Sequence, residues 1–102
     1  MKKKIITLVA VFFNEGQKLP GYFRNVSGVA DRIVVVDCSS TDQTVEICRK
    51  NGAEVIRSKY RYFEQNVNRA MEKVETEWVL ILDADERLSR ELKAQMRWAA
   101  KE

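Results

Sequence analysis

The chain has no histidine, and its two cysteines, Cys38 and Cys48, are not spaced as a C-x-x-C pair. Zinc centres and iron–sulfur clusters, which draw on those ligands, are argued against, and reduced, intracellular thiols are the simplest expectation. Glycine is scarce, with four residues, and proline scarcer still, with one. The turn after the first apolar run reads Phe12-Phe13-Asn14-Glu15-Gly16. It fits neither G-x-G-x-x-G nor G-x-x-x-x-G-K-[ST], so phosphate is not cradled in the dinucleotide or Walker manner. No apolar run approaches the length of about 20 residues needed to span a bilayer. Lys2-Lys3-Lys4 ahead of Ile5 to Phe13 imitates a secretory leader, but no small-x-small cleavage site follows. Charge of one sign is not gathered into blocks. The 18 basic and 15 acidic residues leave a net +3, interspersed along the chain, which is not the footprint of a nucleic-acid binder. With 102 residues, the chain supports one hydrophobic core and not two.

What the chain does have is Trp78-Val79-Leu80-Ile81-Leu82-Asp83-Ala84-Asp85-Glu86. Five apolar residues without alternation predict a strand covered on both faces, as in a parallel sheet flanked by helices. Such strands present ligands at their carboxyl ends, and this one ends in acid. In extended backbone Asp83 and Asp85 point to one side and Ala84 to the other, so two carboxylates converge where a hard cation, Mg2+ or Mn2+, would be held together with water and phosphate oxygens. A solvated acidic loop is the plainer alternative.

Strand and helix patterns alternate along the whole chain. After the first strand, Pro20 stands near the start of a helix with Leu19, Tyr22, Phe23 and Val26 at helical spacing. Ile33-Val34-Val35-Val36-Asp37 reads as a second buried strand. Ser39, Ser40, Thr41 and Asp42 are candidate caps for a helix reaching about Lys50, which Asn51-Gly52 stops. Glu54 to Arg57 predicts a short third strand. Phe63, Val67, Ala70, Met71 and Val74 predict the apolar stripe of a third helix, and Leu88, Leu92, Met96 and Ala99 that of a last one, from which Trp98 falls away. This order predicts an α/β fold, a Rossmann-like three-layer α/β/α sandwich with a parallel sheet of about four strands and right-handed crossovers.

Acid then stands at three strand ends: Glu15 after the first, Asp37 after the second, Asp83 and Asp85 after the last. Carboxylates repel bare phosphate, but they accept hydrogen bonds from base N–H groups and ribose hydroxyls and hold a metal that meets a diphosphate. That chemistry suits a nucleotide sugar.

Asn14-Glu15, the stretch Val34-Val35-Val36-Asp37-Cys38-Ser39-Ser40-Thr41-Asp42-Gln43-Thr44, the Asn68-x-Ala70 helix and Trp78 to Glu86 together resemble, in order, the donor-binding half of family 2 glycosyltransferases. The resemblance implies a GT-A fold with sheet order 3-2-1-4. It implies that Asp37 lies near the nucleobase, that Glu15 lines the nucleoside pocket, that Asp83 lies near the ribose or the water shell of the metal, and that Asp85 ligates a divalent cation, Mg2+ or Mn2+. The donor would be a nucleoside-diphosphate sugar, the acceptor a glycan or a lipid-linked sugar, and the setting cytoplasmic or the inner face of a membrane. The catalytic base of inverting members follows the Asp-x-Asp strand, and neither Glu86, Glu91 nor Glu102 matches its motif. Residues 1–102 therefore read as a single donor-binding domain, truncated before the acceptor half and unlike an enzyme that turns over alone. A homodimer through an uncovered edge or face is compatible with so small a core.

The chain departs from the family at Cys38-Ser39, at Phe12 and at Val67, where a basic residue often precedes the asparagine; Arg61 and Arg69 are the candidate substitutes. Asp42 reads as a helix cap before it reads as a ligand. Tyr60, Tyr62 and Phe63 suit stacking or loop packing alike. Cys38, beside acids, lacks what stabilises a thiolate. Two other readings stand beside it: a binding or structural module that keeps the fold with a vestigial site, and a haloacid-dehalogenase-type phosphatase, whose Asp-x-Asp Asp83 and Asp85 superficially match. The latter needs a downstream Lys and further acids and an earlier position for the pair.

Overall fold

In the computed structural model, described over residues 6–59 and 62–101, four strands and four helices alternate. They are β1 (Ile6–Phe12), α1 (Leu19–Val26), β2 (Arg32–Asp37), α2 (Thr44–Lys50), β3 (Glu54–Arg57), α3 (Phe63–Met71), β4 (Trp78–Ile81) and α4 (Arg90–Lys101). All pairings are parallel and the sheet order is β3-β2-β1-β4. The β-branched runs at the centre make this order: Leu8, Val9, Val34, Val35 and Val36 are fully buried. Residues of that type pack well on a pleated surface covered from both sides.

Alternation sends the two faces to different layers. Leu8, Ala10, Phe12 and Val35 pack under Leu19, Tyr22, Phe23 and Val26 of α1, Cys48 of α2 and, after β4, Leu82, Ala84 and Leu88, with Met96 of α4 at the margin. Val9, Val34 and Val36 pack on Ala70 of α3. Helices on both faces complete the three layers. Pro20 lies in the first turn of α1, and the four apolar positions of its stripe are all buried. Asn51 and Gly52, the latter at φ 83°, end α2. Gln43 occupies its N-cap position without a side-chain cap; the carboxylate of Asp42, one residue earlier, accepts the Thr44 N–H at 2.9 Å. Asp42 thus supplies the acceptor that the free N–H groups of the helix start need.

Three apolar patterns are covered less than their composition predicts. β4 is an edge strand, with Trp78 49% and Ile81 45% exposed, in place of a strand covered on both faces. The reason is geometric: α3 packs over β1 and β2 and leaves Ile81 uncovered. On α3 itself Asn66 and Ala70 are buried while Phe63 and Met71 are exposed, so of the expected stripe Ala70 faces inward, Val67 and Val74 are partly covered, and Asn66 takes the inward place one turn before Ala70. On the last element, Leu88 is buried ahead of the helix, Leu92 is exposed, and Trp98 is exposed as its position off the stripe predicts.

Leu8→Ala is expected to lower unfolding free energy by about 2–5 kcal/mol, a large share of the stability of so small a domain, whereas Trp98→Ala stays within about 0.5 kcal/mol. Urea titrations of the two variants check the contrast.

Candidate functional site

In register, Phe12 pairs with Asp37, so the chain leaves β1 and β2 at the same level of the sheet. The two outgoing loops are joined by side chains bonded to backbone. Asn14 N–H donates to Ser40 Oγ at 2.8 Å, and Asn14 Oδ1 accepts from Thr41 N–H at 2.8 Å and Asp42 N–H at 3.3 Å. Glu15 N–H donates to Thr44 Oγ1 at 2.9 Å and Gly16 N–H to Asp42 Oδ2 at 3.0 Å. Gly16 permits that approach: a Cβ there would stand 3.0 Å from Asp42 Oδ2. Asn14 (φ 50°) and Ser39 (φ 66°) adopt left-handed backbone, the sparsely populated region that collects at sites where surrounding bonds impose it. The Thr44 hydroxyl and backbone N–H hold the Asp42 carboxyl below the usual carboxylate range, joined by the Gly16 N–H.

Asp37 is wholly buried. Its Oδ2 accepts the Ser40 N–H at 3.0 Å and pairs with Arg57 Nε at 3.1 Å, while Oδ1 has no hydrogen-bond partner among the described residues. Arg57 is a site residue that the sequence reading missed. The signal was present in the register, since Arg57 closes β3 directly opposite Asp37. Asn66 was missed too: it reads as one polar residue on a helix, yet it is buried, accepts the Ser58 hydroxyl at 2.7 Å and donates to Cys38 Sγ at 3.2 Å. Burial first, then the Asp37 charge, raises the Cys38 thiol, which keeps it protonated.

Two cavities open at this edge. One, of about 550 Å3, is walled by Phe12, Phe13, Glu15, Cys38, Lys59 and Phe63 among others; the second, of about 510 Å3, by Ser39, Arg57, Ser58, Lys59 and Arg69. Ser39 and Lys59 belong to both. Asp37 is on the wall of neither and lies beneath Cys38 and Ser39 in sequence. Arg69 is half-buried on a cavity wall and not merely solvated on a helix face. Tyr60 and Arg61 lie outside the described residues.

The acidic pair sits on a turn and not on strand backbone. β4 stops at Ile81, Leu82 N–H still bonds Val9 O at 3.3 Å, and Glu86 N–H closes back on Asp83 O at 3.1 Å. The expected separation of faces survives by this other route: Leu82 and Ala84 are buried, Asp83 and Asp85 exposed. Glu86 Oε1 accepts the Asp83 N–H at 2.8 Å. Burial, and then the charges of Glu86, Asp85 and Glu15, push the Asp83 carboxyl above its ordinary value. Four carboxylates therefore share one field, and Glu15 joins it from the other loop. Among the described residues no set of three or more His, Cys, Asp or Glu is arranged to hold a metal by itself. The donors present fit a hard cation that takes one or two carboxylates and finds its other ligands in water and phosphate.

The profile of Glycosyl transferase family 2 matches residues 7–102. The chain belongs to that family. An uncharacterized glycosyltransferase of Rickettsia conorii is 32% identical over 101 residues, 96% of this chain and 36% of the relative. Its counterpart in Rickettsia prowazekii is 34% identical over 96 residues, 94% of this chain and 32% of the relative. The chain thus spans about a third of the length of these curated relatives. In fold it resembles mannosyl-3-phosphoglycerate synthase of Rubrobacter xylanophilus, with TM-score 0.73 and 24% identity over 85% of this chain and 32% of that one. It also resembles glucosyl-3-phosphoglycerate synthase of Mycobacterium tuberculosis, crystallised with Mn2+, UDP and glucosyl-3-phosphoglycerate, with TM-score 0.68 and 21% identity over 80% and 34%. The sheet order and the GT-A architecture of family 2 are those observed. No helix among the described residues is long and apolar enough to cross a membrane.

Two outcomes are expected at this family 2 site. Asn14→Ala removes the acceptor shared by Thr41 and Asp42 and leaves a Cβ at positive φ, which lowers stability by about 1–3 kcal/mol. Asn14→Gly loses the acceptor alone, and the difference between the two in denaturant titrations, about 1 kcal/mol, measures the backbone strain. In an NMR titration the Asp83 carboxyl titrates above an ordinary Asp, and Glu86→Gln, which keeps the acceptor oxygen but not the charge, brings it down.

Proposed function

We propose that this chain is the donor-binding part of a glycosyltransferase, a domain that binds a nucleoside-diphosphate sugar with a divalent cation for transfer of the sugar to an acceptor hydroxyl. The observation that carries the reading is the acidic turn. In a family 2 chain, Asp83 and Asp85 project from the carboxyl end of the sheet into a field of negative charge shared with Glu15. A cavity with Glu15 on its wall opens at the same edge. Such a field repels phosphate and calls for a cation between the two.

In this reading Asp85 is the metal ligand and Asp83 lies near the ribose or the water shell of the metal. The cation, Mg2+ or Mn2+, supplies Lewis-acid stabilisation to the charge that grows on the departing diphosphate. Glu15 lines the nucleoside pocket and accepts hydrogen bonds there. Asp37, one residue before the cavity wall, lies near the nucleobase in this reading and pairs through Oδ2 with Arg57, its Oδ1 having no hydrogen-bond partner among the described residues. Phe12, Phe13 and Phe63 give the cavity the apolar and aromatic walls that a base stacks against. Lys59, on the wall of both cavities, and Arg69 bring positive charge for the diphosphate. None of these residues is assigned as the general base or as an acceptor contact.

Calorimetric titration of UDP and GDP, each with and without Mn2+, into this chain and its Asp85→Ala variant tests the reading. Expected is binding that requires Mn2+, falls at least about tenfold in the variant, and weakens as pH falls through the raised Asp83 pKa, because a proton on Asp83 removes negative charge from the field that draws the cation. Absence of binding by either nucleotide under all conditions would replace it with a module whose acidic site is vestigial.

A further inference from the structure

The acidic turn runs on past the sheet, since Leu82 N–H is its last bond to β1. Beyond that point the mutual repulsion of Glu15, Asp83, Asp85 and Glu86 acts to splay it. Arg87 opposes this. Arg87 donates from Nη1 to Ala84 O at 2.7 Å and Glu86 O at 2.8 Å, and from Nη2 to Lys18 O, ahead of α1, at 3.0 Å. Its guanidinium lies 5.9 Å from the centre of the Tyr22 ring. Tyr22 is itself buried, wedged edge-on between Phe12 and Phe23 at 5.3 Å from each, and donates its hydroxyl to Leu82 O at 2.8 Å. The turn is therefore fastened at its entry by Tyr22 and across its middle by Arg87.

We propose that Arg87 is the positioning residue of the acidic turn, holding Asp83 and Asp85 together for a cation without neutralising either. Three observations support this. Every hydrogen bond of Arg87 ends on a backbone carbonyl, and among the described residues no ion pair joins it to Asp83, Asp85 or Glu86. An arginine bonded to the carboxylates themselves would compete with the metal; one bonded to the backbone leaves them open. Second, the planar fork sets two nitrogens apart, so that Nη1 bonds the turn while Nη2 bonds the segment ahead of α1, whereas a lysine offers its donors from one nitrogen on a flexible stem. Third, Gly21 leaves the room: a Cβ there would stand 3.3 Å from Arg87 Nη2. Groups that orient metal ligands from behind typically change metal affinity by about 10- to 100-fold when removed.

The inference rests on the proposed metal-dependent donor site, and one set of measurements separates the two. Mn2+ with UDP is titrated into the full chain and into Arg87→Met and Arg87→Lys, and amide hydrogen exchange is followed in each without ligand. Expected for Arg87→Met is an affinity lower by about 10- to 100-fold, with faster exchange at the Asp83 and Glu86 amides while β1 and β2 keep their protection. Arg87→Lys recovers part of the affinity, through one carbonyl. Wild-type affinity in Arg87→Met would overturn the inference and leave the donor site standing, and loss of protection throughout β1 and β2 would overturn it by making the effect global. If the unaltered chain binds no Mn2+ with UDP, the donor-site reading fails and this one with it.

Discussion

Everything at the carboxyl edge of the sheet depends on the joint between the loops that leave β1 and β2. Parallel strands end without a hairpin to tie them, so their loops must be held by other means. Here the means are short polar side chains. Asn14 serves Ser40, Thr41 and Asp42, while Asp42 and Thr44 serve Gly16 and Glu15 in return. The exchange satisfies backbone N–H groups that would otherwise be orphaned at the start of α2, and it offsets the left-handed backbone of Asn14 and Ser39. It also places Glu15 on the cavity wall facing the field of the acidic turn. Without the joint, the first loop has no reason to bring its carboxylate there.

Along that edge, charge is sorted. Glu15, Asp83, Asp85 and Glu86 gather at one end, and Arg57, Lys59 and Arg69 surround a cavity at the other, with Ser39 and Lys59 shared between the two hollows. The proposed donor, with its base, ribose and diphosphate, would meet both ends of this sorting, whereas a bare anion would meet the basic end alone. The Asp37–Arg57 pair lies between, with the carboxylate buried and the guanidinium exposed. The fold takes Asp37 out of water while Arg57 keeps about half of its surface in it, so removing Arg57 leaves a buried carboxylate without its ion-pair partner.

Much of this was legible in the residues. Runs such as Ile33 to Val36 are read correctly because their surroundings are symmetrical: a central parallel strand is covered on both faces, and composition reports that directly. The α1 stripe is legible because a helix over a sheet has one face to bury. Trp78 to Leu82 misleads for the same reason in reverse. Its composition is that of a central strand, but strand order, not composition, decides which strand stands at the edge. Phe63 and Met71 mislead because apolar residues beside a ligand cavity or at a surface follow the same spacing as core residues. Arg57, Arg87 and Asn66 could not be singled out one by one, as their roles come from pairing across the sheet and from bonds between segments remote in sequence. Asp83 and Asp85 were placed by strand alternation and are delivered by a turn, so their exposure beside a buried Ala84 was legible where the backbone was not.

Two carboxylates on this edge show why burial and charge need to be weighed separately. Asp42 is surrounded by donors, and its carboxyl is lowered; the stability it contributes is present above the ordinary carboxylate pKa and is lost as pH falls through the lower folded value. Asp83 is surrounded by partial burial and acids, and its carboxyl is raised. The folded state then binds the proton more tightly than the unfolded chain, so stability is greatest with the proton on and declines as pH rises through the raised value. A committed carboxylate and an uncommitted one thus carry opposite signs. The first has its partners within the chain and works as structure. The second has its charged form disfavoured by its surroundings, a cost that the fold itself does not offset.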